Sequence, residues 1–241
     1  MRDPIEGVVE ALSTSIGISD VTMQLLIGAI GLCLLGASFH GSGKEFAKKA
    51  AIMGWPFIGR FFYLYSAYYV KIADPVLILM TAGALPAGFA MAIWESRPEE
   101  EVSETLVWLR GCVVWSMFPY FLVYGIPHLN MLSVQFTALS AELLLEFSGI
   151  GGYEVGQMMI ERSGGSEIPV SEWEGNRWIL SEPLGEGGFF APMISDDGEE
   201  VVYFVLACSA LQSMAVFIGA IVALNSVHWK RRARALLVAI P

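Results

Sequence analysis

Charge is what this chain has least of. Only 16% of its 241 residues are Asp, Glu, Lys or Arg, against about 25% in ordinary soluble domains. Cysteine and histidine are scarce, at three each. Cys33, Cys112 and Cys208 lie far apart in apolar segments, and there is no CxxC pair. That spacing signals neither a zinc site nor a thioredoxin-like dithiol, and an odd count argues against a complete disulfide framework. No cofactor or metal is expected. A basic face interleaved with aromatics is also missing, so no nucleic-acid partner is expected. The first residues, Met1-Arg2-Asp3-Pro4-Ile5-Glu6, lack a basic stretch leading into an apolar core, which argues against a cleavable signal peptide.

What is abundant is apolar sequence. Hydrophobic residues make up 55% of the chain, and the mean hydropathy is +0.57. Several runs approach the 20 or so apolar residues that cross a bilayer. The expected fold is all-α: a polytopic helical membrane protein with about five complete transmembrane helices, one interfacial or re-entrant helix and an extracellular loop. The spans fall at 23–39, 50–72, 75–94, 105–127 and 201–224. Gly28, Gly31 and Gly36 allow close helix contact in the first. Trp55, Tyr63, Tyr65, Tyr68 and Tyr69 read as interface anchors in the second, and Pro119 is a possible kink in the fourth. The segment 129–147 is apolar on most faces but carries Glu142 and Glu146 one turn apart, as an interfacial helix does. The Gly-, Glu- and Ser-rich region 149–200 reads as an extramembrane loop with a little structure, such as a β-hairpin.

Topology follows from the basic residues. The positive-inside rule puts Lys44, Lys48 and Lys49 in the cytoplasm. If 129–147 stays on the outer side, the polar loop is outside, and Lys230, Arg231, Arg232 and Arg234 return to the cytoplasm. The chain then divides into a transmembrane bundle with its interfacial helix (1–148), an extracellular polar loop (149–200), and a Cys208 helix with a basic cytoplasmic loop and the start of a further span (201–241). Residues 235–241 are too short to cross a core of about 30 Å and read as a span cut off.

Read as one helix, 201–224 places Cys208 about two turns, or roughly 12 Å, below its outer end. A free cysteine is commonly a small buried hydrophobe, and Cys33 and Cys112 fit that description. Cys208 differs in having Ser209, Gln212 and Ser213 beside it. Polar side chains in a span usually face protein or a cavity, and a nucleophilic thiol needs a cation that favours its thiolate. Arg60, Arg110, His128 and His228 are the cations to consider. Each arginine also has a plainer reading, snorkelling or pairing with a carboxylate. His228 lies at the wrong end of the span, and His128 carries no motif.

The run Ala207-Cys208-Ser209-Ala210-Leu211-Gln212-Ser213-Met214-Ala215-Val216-Phe217-Ile218-Gly219 resembles the signature of the archaeosortase/exosortase family. There an Ala-Cys-(Ser/Thr) step opens a membrane helix, followed by small residues and Ser-Met-Ala-(Ile/Val)-Phe-x-Gly. The stretch Trp229-Lys230-Arg231-Arg232-Ala233-Arg234-Ala235-Leu236-Leu237-Val238-Ala239-Ile240-Pro241 is similar to the family's basic stretch running into an Ile-Pro step. The resemblance covers about the last 40 residues, and Ser209-Ala210 stands where many members have Thr-Gly.

The resemblance implies a membrane-embedded cysteine transpeptidase. Its substrates would be secreted or surface proteins ending in a short motif, an apolar helix and a basic tail. Cys208 would be the catalytic nucleophile, forming an acyl-thioester that is passed to a membrane lipid. The family's arginine, and a later Arg or His, are expected beyond Pro241, so Arg231, Arg232 and Arg234 inherit no catalytic role. The competing expectation is a non-enzymatic membrane protein, a transporter or assembly scaffold, whose working residues are Arg60, Arg110, Glu142 and Glu146.

Overall fold

The computed structural model of the protein describes residues 20–71, 73–98, 103–180 and 184–239. Its helices are α1 (Asp20–His40), α2 (Glu45–Leu64), α3 (Ser66–Lys71), α4 (Pro75–Ser96), α5 (Glu104–Gly125), α6 (Pro127–Phe147), α7 (Leu211–Val222) and α8 (Trp229–Ala239). Between α6 and α7 lie strands β1 (Tyr153–Val155), β2 (Met159–Arg162), β3 (Glu167–Pro169), β4 (Leu184–Ser195) and β5 (Glu200–Val205). The chain divides into two compact units, Met1–Trp115 with Gly219–Ala235, and Ser116–Ile218 with Leu236–Pro241.

In the first unit, α2 packs on α1 and on α4. Its buried residues Ala47, Ala51, Gly54, Trp55, Ile58 and Phe61 recur at helical spacing, which gives it one inward face while Lys48, Lys49 and Arg60 stay off it. Small residues set the close approaches. A Cβ at Gly31 would lie 3.0 Å from Ile58, and one at Gly88 would lie 2.6 Å from the carbonyl oxygen of Trp55. The start of α4 is fixed locally. Asp74 accepts hydrogen bonds from the N–H groups of Val76 and Leu77, both at 3.0 Å, and Pro75 occupies the first helical position, where no N–H is needed.

Among the described residues, three helical segments are long and apolar enough to cross a membrane: Met23–His40, Pro75–Ser96 and Glu104–Gly125. The expected second span, 50–72, is interrupted instead. It ends as α2 at Leu64, turns at Tyr65 and resumes as the short α3. Residues 1–19, Ile72, Glu99–Val102 between the third and fourth expected spans, the side chain of Tyr68 and the Ile240-Pro241 step lie outside the described residues. Trp55 is not an interface anchor: it is buried, 6% exposed.

The second unit corrects the all-α expectation, because it contains a five-stranded antiparallel sheet. β4 is its spine. β2 and β1 pair in succession along one edge of β4, in the registers Ile160↔Phe189 and Val155↔Met193. β5 pairs along the other edge, from Phe190↔Val205 to Ile194↔Glu200, and β3 extends β2. The β4–β5 turn contains Asp197-Gly198, with Gly198 at φ +79, a backbone that favours glycine. Helix α6 covers the sheet. Met131 packs with Ile160, Trp173 and Phe189, and Val134 and Ala138 pack with Ala191 and Leu206.

The expected span 201–224 is therefore two elements. Val201-Val202-Tyr203-Phe204-Val205 forms β5, as its β-branched and aromatic residues favour. Only Leu211–Val222 is helical, about 18 Å long at 1.5 Å per residue. That is short of a hydrocarbon core of about 30 Å. The basic residues from Lys230 to Arg234 likewise lie in α8 rather than in a loop.

Candidate functional site

Cys208 ends a single 3-10 turn, Leu206–Cys208, that joins β5 to α7. It is not two turns inside a helix. It precedes α7 and is exposed. The turn is held from both sides. Leu206 is buried against Val134 and Ala138 of α6. Ser209, also buried, donates from its hydroxyl to the carbonyl of Leu206 at 2.6 Å, and its N–H donates to the same oxygen at 3.1 Å. The Ser209 oxygen in turn accepts from the N–H of Leu211 at 3.4 Å, in the first turn of α7. The outcome is an exposed thiol on a pinned backbone, with buried residues on either side of Ala207 and Cys208. Gln212 and Ser213 are exposed.

The candidate cations have partners of their own. Arg110 is buried in the first unit. Its Nε donates to Glu95 Oε1 at 2.8 Å, and its NH2 group donates to Glu95 Oε2. Trp55 Nε1 donates to the same Oε1 at 3.1 Å. One buried carboxylate thus receives three donors from α2 and α5. The pairing satisfies both charges, which is what burial demands. The Arg60 guanidinium lies 5.7 Å from the ring centroid of Tyr63, one turn on. His128, near the start of α6, donates its backbone N–H to the carbonyl of Arg177 at 2.9 Å, and its ring lies against Trp178. His228 Nδ1 accepts from the N–H of Lys230 at 3.3 Å, so it caps α8.

Of the other thiols, Cys112 is half-buried in α5, whereas Cys33 is exposed on an outer face of α1 and is not the buried hydrophobe expected from the sequence. Glu142 is half-buried and Glu146 exposed, both in the last turns of α6. No group of His, Cys, Asp and Glu among the described residues has the grouping of a metal site. The first unit also holds an open cleft of about 510 Å³ lined by Ser42, Glu104, Thr105, Trp108, Asn225 and Ser226 among others, and none of the residues singled out from the sequence lines it.

Three features escape a reading of the sequence. Leu206 looks like any apolar residue in a long run. Ser209 looks like a polar neighbour of the thiol, whereas its hydroxyl is committed to the backbone. Glu95 reads as the start of an acidic linker, 95–104, although its place at the end of one span, 15 residues before Arg110 in the next, is a usable pairing signal.

The chain matches no protein-family model, and no curated protein or solved structure is similar to it at a significant level.

Proposed function

We propose that the chain is a membrane cysteine transpeptidase of the archaeosortase/exosortase type, with Cys208 as nucleophile. The observation that carries this reading is an exposed thiol on a turn pinned by Leu206 and Ser209, within the run 207–219 that resembles the family signature. A positioned nucleophile on a rigid support is what acyl transfer needs.

The chemistry is a two-step exchange. The thiolate sulfur attacks the scissile carbonyl, the C–N bond breaks, and the amine leaves with a proton. A thioester to Cys208 remains. A nucleophilic group on a membrane lipid then attacks that carbonyl and releases the thiol. A cation beside the sulfur would favour the thiolate and the developing oxyanion. Arg110 is committed to Glu95 and does not fill that role in this reading.

The rest of the topology belongs to the same proposal. α1, α4 and α5 cross the membrane together with α2, and α6 is interfacial. The sheet and Cys208 face the cell exterior, and the substrates are proteins with an apolar, basic-ended tail. The transporter or scaffold alternative drew on buried charge, and the Glu95–Arg110 pair now gives Arg110 a structural role instead.

The decisive experiment is Cys208→Ala, expressed from the full gene in its own cell, with tail-bearing proteins followed by gel mobility and lipid labelling. Loss of processing and of lipid attachment is expected. Unchanged processing would overturn the assignment.

A further inference from the structure

We infer that α6 seats on the acyl surface of the protein's own membrane and holds the Cys208 turn one helix diameter above it, in the headgroup layer. This inference rests on the membrane reading of the chain, but its test does not require that Cys208 be catalytic.

The argument begins with the two faces of α6. Val134 and Ala138 point into the sheet and are fully buried. On the opposite side, Leu132, Phe136, Leu139, Leu143 and Phe147 are 48–90% exposed. Their spacing of three and four residues puts them on one stripe, at about 100° per residue. Five large apolar side chains on one exposed stripe need a cover.

Continuity identifies the cover as lipid. α5 is 22 residues long and apolar enough to span, about 33 Å at 1.5 Å per residue. Its last residue, Gly125, therefore reaches a membrane interface, and α6 begins two residues later at Pro127. α6 starts at the bilayer boundary with an apolar stripe facing out. Gln135, Glu142, Glu146 and His128 flank that stripe on one side, as the headgroup flank of an interfacial helix requires.

The sheet decides between lying and crossing. A spanning α6 would carry its sheet into hydrocarbon. Among the described residues, the outer edge of β5 has no partner strand, and unpaired N–H and C=O groups are not tolerated in lipid. Glu154, Arg162, Glu167 and Glu200 also lie exposed on the strands. The sheet requires water, so α6 lies flat with the sheet on its far side. Leu206 belongs to the cluster on that far side. The thiol two residues on is therefore raised by about 10–12 Å, the thickness of a helix. A substrate's scissile bond would have to leave the hydrocarbon to meet it.

The test is a depth profile by spin labelling of the full chain in phosphatidylcholine–phosphatidylglycerol vesicles. One label goes on Cys208 in a Cys33→Ser/Cys112→Ser background. Others go on Phe136→Cys and Leu143→Cys with Cys208→Ser added. Collision rates with oxygen, which concentrates in lipid, are compared with those for a water-soluble nickel chelate. The chelate-to-oxygen ratio is expected to be several-fold higher at Cys208 than at positions 136 and 143. Equal ratios, or a higher ratio at 136 and 143, would overturn the inference. If Phe136→Cys does not fold, Leu132→Cys and Leu139→Cys read the same stripe. Processing assays on Cys208→Ala fail or succeed independently of this profile.

Discussion

Arg110 and Glu95, fifteen residues apart, form a two-pronged ion pair whose side chains are 3% and 2% exposed. Trp55 from a third helix completes the carboxylate's partners. Removing one charge strands the other in an apolar bundle. Arg110→Met is therefore expected to destabilise the protein by about 3–5 kcal/mol. The double variant Glu95→Leu/Arg110→Met should recover most of that loss. Denaturant unfolding in detergent, followed by tryptophan fluorescence, checks both.

Trp55→Phe keeps an aromatic ring, though a smaller one, and deletes one hydrogen bond to a charged acceptor. Its expected cost is about 1.5–3 kcal/mol, and Arg110 should still hold Glu95. A double-mutant cycle with Arg110→Met should show coupling, because both residues donate to the same oxygen.

The α2–α4 crossing depends on having no side chain at Gly88, where a Cβ would meet the backbone of Trp55 and Gly59. Neither neighbour can swing aside. Gly88→Leu should force the helices apart at a cost of about 1–3 kcal/mol. Gly83, where an added Cβ meets nothing within 4 Å, is the matched control and should tolerate Ala. Thermal unfolding in the same detergent compares the two.

Phe189 is 1% exposed and packs edge-on against Trp173. Phe189→Ala should cost about 3–5 kcal/mol, concentrated in the second unit. Hydrogen exchange should rise across β1 to β5 while α1, α2 and α4 keep their protection.

A membrane-impermeant maleimide added to intact cells should label Cys208, which is exposed beside a strand. It should leave Cys33 and Cys112 unlabelled, because both sit within candidate spans. Labelling of Cys208 only after the membrane is opened would reverse the proposed orientation.

The long apolar helices were legible because a run of twenty apolar residues has few other uses. The glycines of α1 could be read as contact points, and Gly31 serves as one against Ile58. The segment after Phe204 was harder. Val201 to Leu224 is apolar apart from Ser209, Gln212 and Ser213, and hydropathy over such a run cannot separate a strand followed by a helix from one long helix. Composition separates only the join: Val201 to Val205 is wholly β-branched and aromatic, Leu206 to Ala215 has no β-branched or aromatic residue, and Val216-Phe217-Ile218 then returns to the first kind inside the helix. Region 149–200 read as a loop because its strands are short and its apolar residues, such as Ile160, Trp173 and Phe189, are scattered. They converge only when α6 supplies the other half of the core. Cys208 stood out from the sequence, but the roles of Leu206 and Ser209 depend on contacts across 70 residues and on a local backbone turn.

The outer rim of β5 carries a further liability. Among the described residues it ends the sheet with backbone groups that meet no neighbouring strand, and Val201, Val202 and Tyr203 lie exposed along it. Such a rim can template stacking between molecules. Asp196, Asp197, Glu199 and Glu200 crowd the approach to it, so two identical rims repel as they draw near. Salting a purified preparation would weaken that guard, and the sheet would be where clumping starts.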